Sequence, residues 1–246
     1  MNGSARYILR LIKKSDWFEF YTTKESAFET WKEALSKYCI QEEFSSKFKV
    51  LEVLGKGAYG TVHLVENKKT LERFAAKAFE KKRMKKSSKR LLLMNEIRIL
   101  RRLDHVNIYK VYEVHEDREN VYVVLELIPG KELLSFMNKT KKFSRRVMEV
   151  IIGQLIAAVA YLEHEGIVHR DIKPENIMIF DDEEGKMKIK LCDFGLACEA
   201  GIDDRYEAGT PGYMAPEILH YKRWAKINRL TSKVDIFSIG CIMYQM

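Results

Sequence analysis

Two short polar motifs most constrain what this chain can fold into. The first is HRDIKPEN, residues 169–176, and the second is DFG, which begins seventeen residues after Asn176. Among their residues are the acids Asp171 and Asp193, together with Lys173 and Asn176. A proton acceptor, a phosphate-binding lysine and two oxygen ligands for a metal are groups that work together in one site. The fold is therefore expected to bring the two motifs into one polar cleft.

The composition predicts a folded protein with one large domain or two lobes. Of the 246 residues, 46% are hydrophobic and 11% are aromatic, and only 4 are proline, which argues against disorder. The apolar stretch at residues 7–12 is short and contains Arg10, so it does not resemble a secretory signal. The most apolar window, residues 147–162, is too short to cross a bilayer and predicts a buried helix.

Cysteine usage and charge bear on location and partners. The four cysteines form no CxxC pair, which supports neither a disulfide framework nor a zinc site and predicts a reducing, cytoplasmic compartment.

The net charge is +8, and seven of the ten residues 81–90 are Lys or Arg. Such a run could meet acidic lipid or nucleic acid, but a solvated loop and helix start is the favoured interpretation. Because the run contains no aromatic residue, no nucleic-acid partner is expected.

Residues 1–46 have a pattern of their own, with strands at residues 7–12 and 17–21 and a helix at residues 24–40. Thr22 and Glu25 fit a capping box at the helix start. The helix carries an apolar stripe that must be buried: Phe28, Trp31, Leu35 and Tyr38. The pattern resembles the closing part of a pleckstrin-homology domain, without the strands and loops that hold phosphoinositides there, so lipid binding is not implied. The alternative is an extension that packs on the following domain.

From residue 47 a β-rich segment is followed by a helical one. Strands are predicted at residues 50–54, 61–66, 74–79, 111–115 and 121–127, with a helix at residues 88–103. Beyond Pro129 helices dominate, with short strands at residues 177–179 and 189–191. This order predicts an α+β fold with a β-rich lobe and a helical lobe.

A glycine-rich loop, GKGAYGTV at residues 55–62, joins the first two of these strands. Glycines allow backbone N–H groups to approach phosphate oxygens. The same spacing opens dinucleotide-binding folds, but there a helix follows at once, whereas residues 61–66 predict a strand.

Lys77 lies seventeen residues after Gly60 in an otherwise apolar strand. A buried ammonium group is costly without a partner, so either an anion faces it or the side chain reaches water. The helix predicted at residues 88–103 offers Glu96 as that anion.

With these motifs in this order, residues 48–246 resemble the eukaryotic protein kinase family. The resemblance implies a bilobal fold, ATP and Mg²⁺ as cofactors, and protein substrates with Ser or Thr acceptors. It implies that Lys77 binds the α- and β-phosphates and pairs with Glu96, that Asp171 accepts the substrate hydroxyl proton, and that Lys173 contacts the γ-phosphate.

The resemblance also implies that Asn176 and Asp193 hold magnesium. Further residues would line the nucleotide site, with Leu125 as gatekeeper and residues 126–128 as the adenine-binding hinge: Leu54, Gly55, Gly57, Gly60, Val62, Ala75, Leu125, Glu126, Ile128, Glu132 and Met178. Cys192 would lie beside this pocket, and we expect a packed, inert thiol.

Two features point to substrate preference. Lys173 and the run GTPGYMAPE, residues 209–217, resemble serine/threonine kinases, and the run is typical of the calcium/calmodulin-dependent kinase group. Glu132 and Glu175 match positions where basic-directed kinases place acids. We therefore expect a preference for Arg or Lys before the acceptor residue. The alternative is that both acids only face solvent.

In this family Arg170 usually meets a phosphorylated residue of the activation segment. In that neighbourhood this chain has Tyr206, flanked by Asp203, Asp204 and Glu207. We expect these carboxylates to satisfy Arg170, so that activity does not require phosphorylation of the loop.

The apolar helix that begins near Val234 resembles the central helix of the kinase C-lobe, where Asp235 would anchor the catalytic loop. The chain stops inside it, at Met246. We expect two domains, residues 1–46 and 47–246, with the second incomplete, in a fragment of a longer protein. Membrane contact would then require a complete upstream pleckstrin-homology domain. The alternatives are a non-catalytic scaffold and a membrane-tethered adaptor that uses residues 81–90.

Overall fold

The computed structural model describes residues 7–13, 16–36, 38–42, 44–56, 60–84, 87–140, 142–201, 208–219 and 230–246. The chain begins with a hairpin and a helix: β1 (Tyr7–Lys13), β2 (Asp16–Thr22) and α1 (Glu25–Ser36). The predicted apolar stripe packs on this hairpin, since the ring of Phe28 lies 5.4 Å from that of Tyr7 and the ring of Trp31 lies 5.5 Å from that of Phe20.

Two predictions about helix α1 are wrong. The helix ends at Ser36 and not near residue 40, because the Leu35 carbonyl accepts the N–H groups of both Tyr38 and Cys39 and closes the last turn. Tyr38 is therefore off the packed stripe and 72% exposed. At the other end, the Thr22 hydroxyl accepts the N–H of Lys24, so the expected capping box with Glu25 is not formed.

The first lobe contains one six-stranded sheet. Its strands are β3 (Ile40–Gln41), β4 (Phe48–Lys56), β5 (Thr61–Asn67), β6 (Arg73–Glu80), β7 (Val111–Glu116) and β8 (Asn120–Leu125), in the order β3-β7-β8-β6-β5-β4. Strands β4 to β8 confirm the predicted strands, while β3 has no predicted counterpart. The last strand ends two residues early, because the chain beyond Leu125 leaves the sheet and connects the lobes.

The two faces of this sheet are covered by different helices. Helix α2 (Phe44–Lys47) covers part of the outer face, where Phe44 and Phe48 join Val65, Ala76 and Val124 in a small core. Helix α3 (Ser87–Leu100) packs on the inner face in the main core. It ends three residues before the predicted position, because the N–H groups of Arg102 and Leu103 donate to the carbonyls three residues earlier, at Ile99 and Leu100, and form a tighter turn.

The second lobe is mainly helical, which confirms the predicted α+β fold. Its helices are α4 (Leu133–Lys139), α5 (Arg145–His164), α6 (Pro216–Leu219) and α7 (Lys233–Gln245). Its strands are β9 (Lys131–Glu132), β10 (Ile167–Val168), β11 (Ile177–Asp181), β12 (Met187–Leu191) and β13 (Cys198–Glu199). The hairpin of β11 and β12 packs against α5. The HRDIKPEN motif comes immediately before β11 in the chain, and the DFG motif comes after β12.

Helix α5 is the longest helix of the described chain and is rich in apolar residues. Its 20 residues are enough, by length and composition, to cross a membrane, so the expectation that this window is too short is wrong. One face is nevertheless buried in the core, with Ile151, Leu155 and Leu162 fully inaccessible, whereas Ile156 on the other face is 48% exposed. The prediction of a buried helix therefore holds for one face.

Candidate active site

The catalytic loop, residues 169–176, is fixed from below by Asp235. This fully buried carboxylate on helix α7 accepts the backbone N–H groups of His169 and Arg170, both at 2.8 Å. Arg170 has a φ of 69°, which is costly for a residue with a Cβ. The two hydrogen bonds stabilise this turn, as predicted for Asp235, and orient Asp171 towards the cleft.

Asp171 lies at the centre of a polar network. Its carboxylate accepts the Thr210 hydroxyl at 2.6 Å and the Asn176 amide at 3.0 Å, and it forms an ion pair with Lys173 at 3.0 Å. Lys173 also donates to the Thr210 hydroxyl at 2.7 Å. Burial alone would raise the pKa of Asp171, but the hydrogen bonds from Thr210 and Lys173 and the charge of Lys173 lower it. Asp171 is therefore held as a carboxylate that can accept a proton.

A second group of charges joins the two lobes, with Lys77 and Glu96 in the first lobe and Asp193 in the second. Lys77 on strand β6 lies 3.6 Å from Glu96 on helix α3 and 3.7 Å from Asp193. Burial acts to lower the pKa of Lys77, but the two carboxylates outweigh it and raise that pKa. Burial raises the pKa of Glu96, although the positive charge of Lys77 acts to lower it. The predicted partner of Lys77 is confirmed, and its ammonium group stays charged.

The DFG segment is locked by its aromatic residue. Phe194 is fully buried, with its ring 4.6 Å from that of His169 and 6.0 Å from that of Tyr109. The Tyr109 hydroxyl also donates to Glu96 at 3.3 Å. Asp193 has a φ of 59°, and this conformation leaves its side chain 41% exposed towards the cleft.

The other predicted nucleotide-site residues lie mainly on the strands around this cleft. Gly55 pairs with Val62, Ala75 pairs with Leu125, and Met178 pairs with Glu132 in their sheets. A Cβ on Gly60 would lie 2.1 Å from the Ala78 carbonyl oxygen, so only glycine fits there. Leu54 lies in β4, two residues before its end, Ile128 lies in the connection between the lobes, and Gly57 lies outside the described residues.

The first residue of this connection uses its side chain as well as its backbone. The Glu126 N–H donates to the Lys110 carbonyl at 2.9 Å, and its carboxylate accepts Lys190 at 2.8 Å and the N–H of Lys110 at 3.2 Å. The connection is thus fixed to strand β12 of the second lobe. The family resemblance implied only that Glu126 belongs to the adenine-binding hinge and gave no role to its side chain.

The oxygen ligands of the site suit magnesium. Asp193 supplies an accessible carboxylate. The side-chain nitrogen of Asn176 donates to the backbone carbonyl and to the carboxylate of Asp171, so the amide oxygen of Asn176 points away from Asp171. Among the described residues no group of three or more His, Cys, Asp or Glu could hold a metal. Mg²⁺ commonly takes one or two protein oxygens and completes its shell with phosphate and water. Asn176 and Asp193 would hold it here and would neutralise phosphate charge through it.

Sequence reasoning missed three contacts of the site. Thr210 appeared only as a member of the run at residues 209–217, Tyr109 was not singled out, and Lys190 had no assigned role. All three contacts join segments far apart in the chain, and no local motif marks them. The predicted partners of Arg170 at residues 203–207 lie outside the described residues; in the described part, Arg170 donates to the Leu196 carbonyl at 2.6 Å.

The basic side chains that the structure describes in residues 81–90 pair with neighbouring acids. Lys81 and Arg90 contact Glu116, and Lys82 and Arg83 contact Glu80. These ion pairs favour the interpretation of the run as a solvated loop and helix start over its use as a surface that binds acidic lipid or nucleic acid.

Cys192 is expected to resist alkylation in the folded protein. Burial, with smaller contributions from Asp193 and Glu126, raises the pKa of its thiol to about 12. At pH 8 the thiolate fraction is then lower than that of a free cysteine by more than about 10³-fold. Mass spectrometry after iodoacetamide treatment should find Cys192 unmodified until guanidinium is added. Native labelling at the rate of a peptide thiol would contradict this.

Comparison with known proteins agrees with this geometry. The family model for the protein kinase domain matches residues 48–246. The chain is 40% identical over 201 residues to calcium/calmodulin-dependent protein kinase type 1 of Macrobrachium nipponense, covering 80% of this chain and 55% of that protein. It is 37% identical over 204 residues to calcium/calmodulin-dependent protein kinase type 1B of Homo sapiens, covering 82% and 57%. It is 42% identical over 193 residues to calcium-dependent protein kinase 5 of Plasmodium berghei, covering 78% and 32%.

The chain thus spans about half the length, or less, of the curated relatives that it matches. The matched residues contain every motif of the cleft, from the glycine-rich loop to the DFG segment and the Asp235 anchor. The chain therefore belongs to the protein kinase family, in the serine/threonine, calcium/calmodulin-dependent-kinase-like group.

Proposed function

We propose that this chain transfers the γ-phosphoryl group of ATP to Ser or Thr hydroxyls of proteins. The observation that carries the proposal is the juxtaposition of two charge networks, one around Asp171 and one around Lys77. Asp193, paired with Lys77, follows Cys192, whose N–H donates to the Asn176 carbonyl and whose carbonyl contacts the His169 ring in the Asp171 loop. Phosphoryl transfer depends mainly on positioning and on neutralising spreading negative charge. The same groups, each held by protein contacts, supply both requirements.

Each residue of the site has a distinct part in this proposal. Asp171, kept ionised, accepts the proton of the substrate hydroxyl and orients its oxygen towards the phosphorus. Lys173 and Lys77 bind phosphate oxygens from the two lobes, and Glu96 keeps Lys77 in place. Because Thr210 bridges Lys173 and Asp171, it sets the distance between the proton acceptor and the phosphate-binding ammonium group.

Substrate choice is proposed to depend on two acids at the edge of the cleft. Glu132 and Glu175 are both exposed, and the described contacts include no ion pair for either carboxylate. Free carboxylates in such positions bind guanidinium groups well. We therefore propose a basic-directed kinase.

A peptide library with fixed Ser, Thr or Tyr acceptors tests both parts of this proposal. Phosphorylation should occur on Ser and Thr peptides, be absent from Tyr peptides, and increase when Arg lies a few residues before the acceptor. Replacement of Glu132 and Glu175 by Gln should lower the preference for Arg by about tenfold, as expected for the loss of charged contacts. Glu183→Gln, at an exposed site on the β11–β12 turn, is the matched control. A wild-type library without any basic preference would contradict the specificity proposal.

The N-terminal residues 1–46 are proposed to be the end of a pleckstrin-homology-like domain, and the protein is proposed to be cytoplasmic. The hairpin followed by a helix that packs on it supports the first proposal. Sequencing the transcript upstream of Met1 tests it, since the remaining strands of such a domain should be encoded there.

A further inference from the structure

The segment between the N-terminal hairpin–helix and the kinase sheet is built into the first lobe. We call β1, β2 and α1 the upstream unit, and residues 38–48 the connector. Strand β3 of the connector adds to the edge of the sheet, where Ile40 pairs with Val114 and Gln41 pairs with His115 in parallel. Ile40 also packs against the main core. The connector is therefore held by backbone pairing and by apolar burial.

The second half of the connector is held by an aromatic residue and by charges. Phe44 is 4% exposed, and its ring stacks on Tyr122 at 4.0 Å with an interplanar angle of 3°. Lys47 forms an ion pair with Glu113 on β7, and the Lys47 carbonyl accepts the N–H of Lys68. These contacts fix the connector to strands β7 and β8 and to the residue that follows β5.

Arg101 joins the first half of the connector to helix α3. It follows directly on the last residue of that helix, and its guanidinium donates to the carbonyls of Tyr38 at 2.7 Å and Cys39 at 2.9 Å. The N–H groups of the same two residues donate to Leu35 at the end of helix α1. The Arg101 side chain therefore links the C-terminal end of the upstream unit to the C-terminal end of helix α3 by hydrogen bonds.

Helix α3 is also the helix that positions Lys77. Glu96 lies five residues before Arg101, and the Arg101 N–H still donates to Ile97, the neighbour of Glu96. A bidentate guanidinium has a fixed fork geometry, so it transmits orientation as well as attraction. Movement of the upstream unit would therefore be passed to helix α3 and to the Lys77–Glu96 pair.

We propose that Arg101 is a positioning residue that couples the packing of the upstream unit to helix α3 and, through Glu96, to Lys77. The effect on catalysis rests on the proposed kinase function, but the coupling itself is a property of the fold. Residues along such a connection typically change activity by roughly 2- to 30-fold without touching the substrate.

A double-mutant cycle in the full chain tests the coupling. Trp31→Ala removes the ring that packs on Phe20 in the upstream unit. Arg101→Ala removes the hydrogen bonds to the carbonyls of Tyr38 and Cys39. Each single variant should speed amide hydrogen exchange in residues 90–100 and lower kcat/KM for ATP by roughly 2- to 30-fold. In the double variant, Trp31→Ala should cause no further change in exchange or in kcat/KM, because Arg101→Ala has already removed the link between the upstream unit and helix α3.

Two further variants control this cycle. Arg101→Lys keeps one cationic donor and should restore part of the protection of helix α3, which a role in bulk stability alone would not require. Arg145→Ala and Tyr244→Ala, at side chains that are highly exposed in the second lobe, should leave residues 90–100 unchanged. Exchange in helix α5 reports whether each variant is folded.

The outcomes separate this proposal from the proposed function. Additive effects of Trp31→Ala and Arg101→Ala on exchange in helix α3, or no effect of either on that helix, would overturn the coupling whatever the activity. The expected exchange pattern in a wild-type chain that transfers no phosphate would support the coupling and overturn the kinase proposal.

Discussion

Asp171→Asn is expected to lower kcat for peptide phosphorylation by about 10²- to 10⁴-fold, the range for loss of a positioned proton acceptor. The amide has the same size and can still contact Thr210 and Asn176, so the loop should keep its shape. It carries no charge, however, and cannot take the substrate proton. The affinity for ATP should change little, because Lys77 and Asp193 are untouched. Steady-state kinetics together with ATP titration measure both quantities.

The control for this variant is Asp104→Asn, at a side chain that is 84% exposed and pairs only with Lys110 on the surface among the described contacts. Its kcat should match that of the wild type. A fall of less than threefold in Asp171→Asn, with the fold intact, would show that Asp171 is not the proton acceptor.

Asp235→Ala is expected to have the largest effect on stability. It leaves the buried N–H groups of His169 and Arg170 without their acceptor, at about 1–3 kcal/mol each. The sum, about 2–6 kcal/mol, is a large part of a typical free energy of unfolding of about 5–15 kcal/mol. Since about 1 kcal/mol shifts the Tm of a chain of this size by roughly 2–4 °C, the Tm should fall by roughly 10 °C. Phosphorylation should also be lost, because Arg170 leaves its φ of 69°.

Calorimetry with Asp104→Ala as the surface control measures this effect. The control removes an exposed ion pair, which contributes about 0–1 kcal/mol, so its Tm should stay near that of the wild type. Equal Tm values for Asp235→Ala and the control would mean that the catalytic loop does not depend on helix α7.

The elements with strong local patterns could be predicted from the sequence. The strands around the glycine-rich loop followed from apolar periodicity, and the Lys77–Glu96 pair followed from the need of a buried lysine for an anion. The role of Asp235 was implied by the resemblance to the kinase family. Boundaries were less accurate where a tertiary contact decides them. Helix α1 ends early because Leu35 accepts two N–H groups, and strand β3 has only two residues, too few to give a period.

The contacts that complete the site were not predictable in this way. Thr210 reaches Asp171 across 39 positions of the chain, and Arg101 reaches Tyr38 across 63. A threonine or an arginine at these places has no local signature, because its partner is a single oxygen brought close only by the fold. Such contacts depend on packing between elements, which a pattern in one segment does not encode.

The central claim is that Lys77, Asp171, Asn176 and Asp193 surround the terminal phosphates of one nucleotide between the lobes. A crystal structure of this chain with Mg²⁺ and a non-hydrolysable ATP analogue tests it most directly. The account predicts triphosphate density beside Lys77, with Mg²⁺ bound by Asn176 and Asp193 and Asp171 facing the γ-phosphate. Nucleotide bound elsewhere, or a metal held by neither Asn176 nor Asp193, would contradict it.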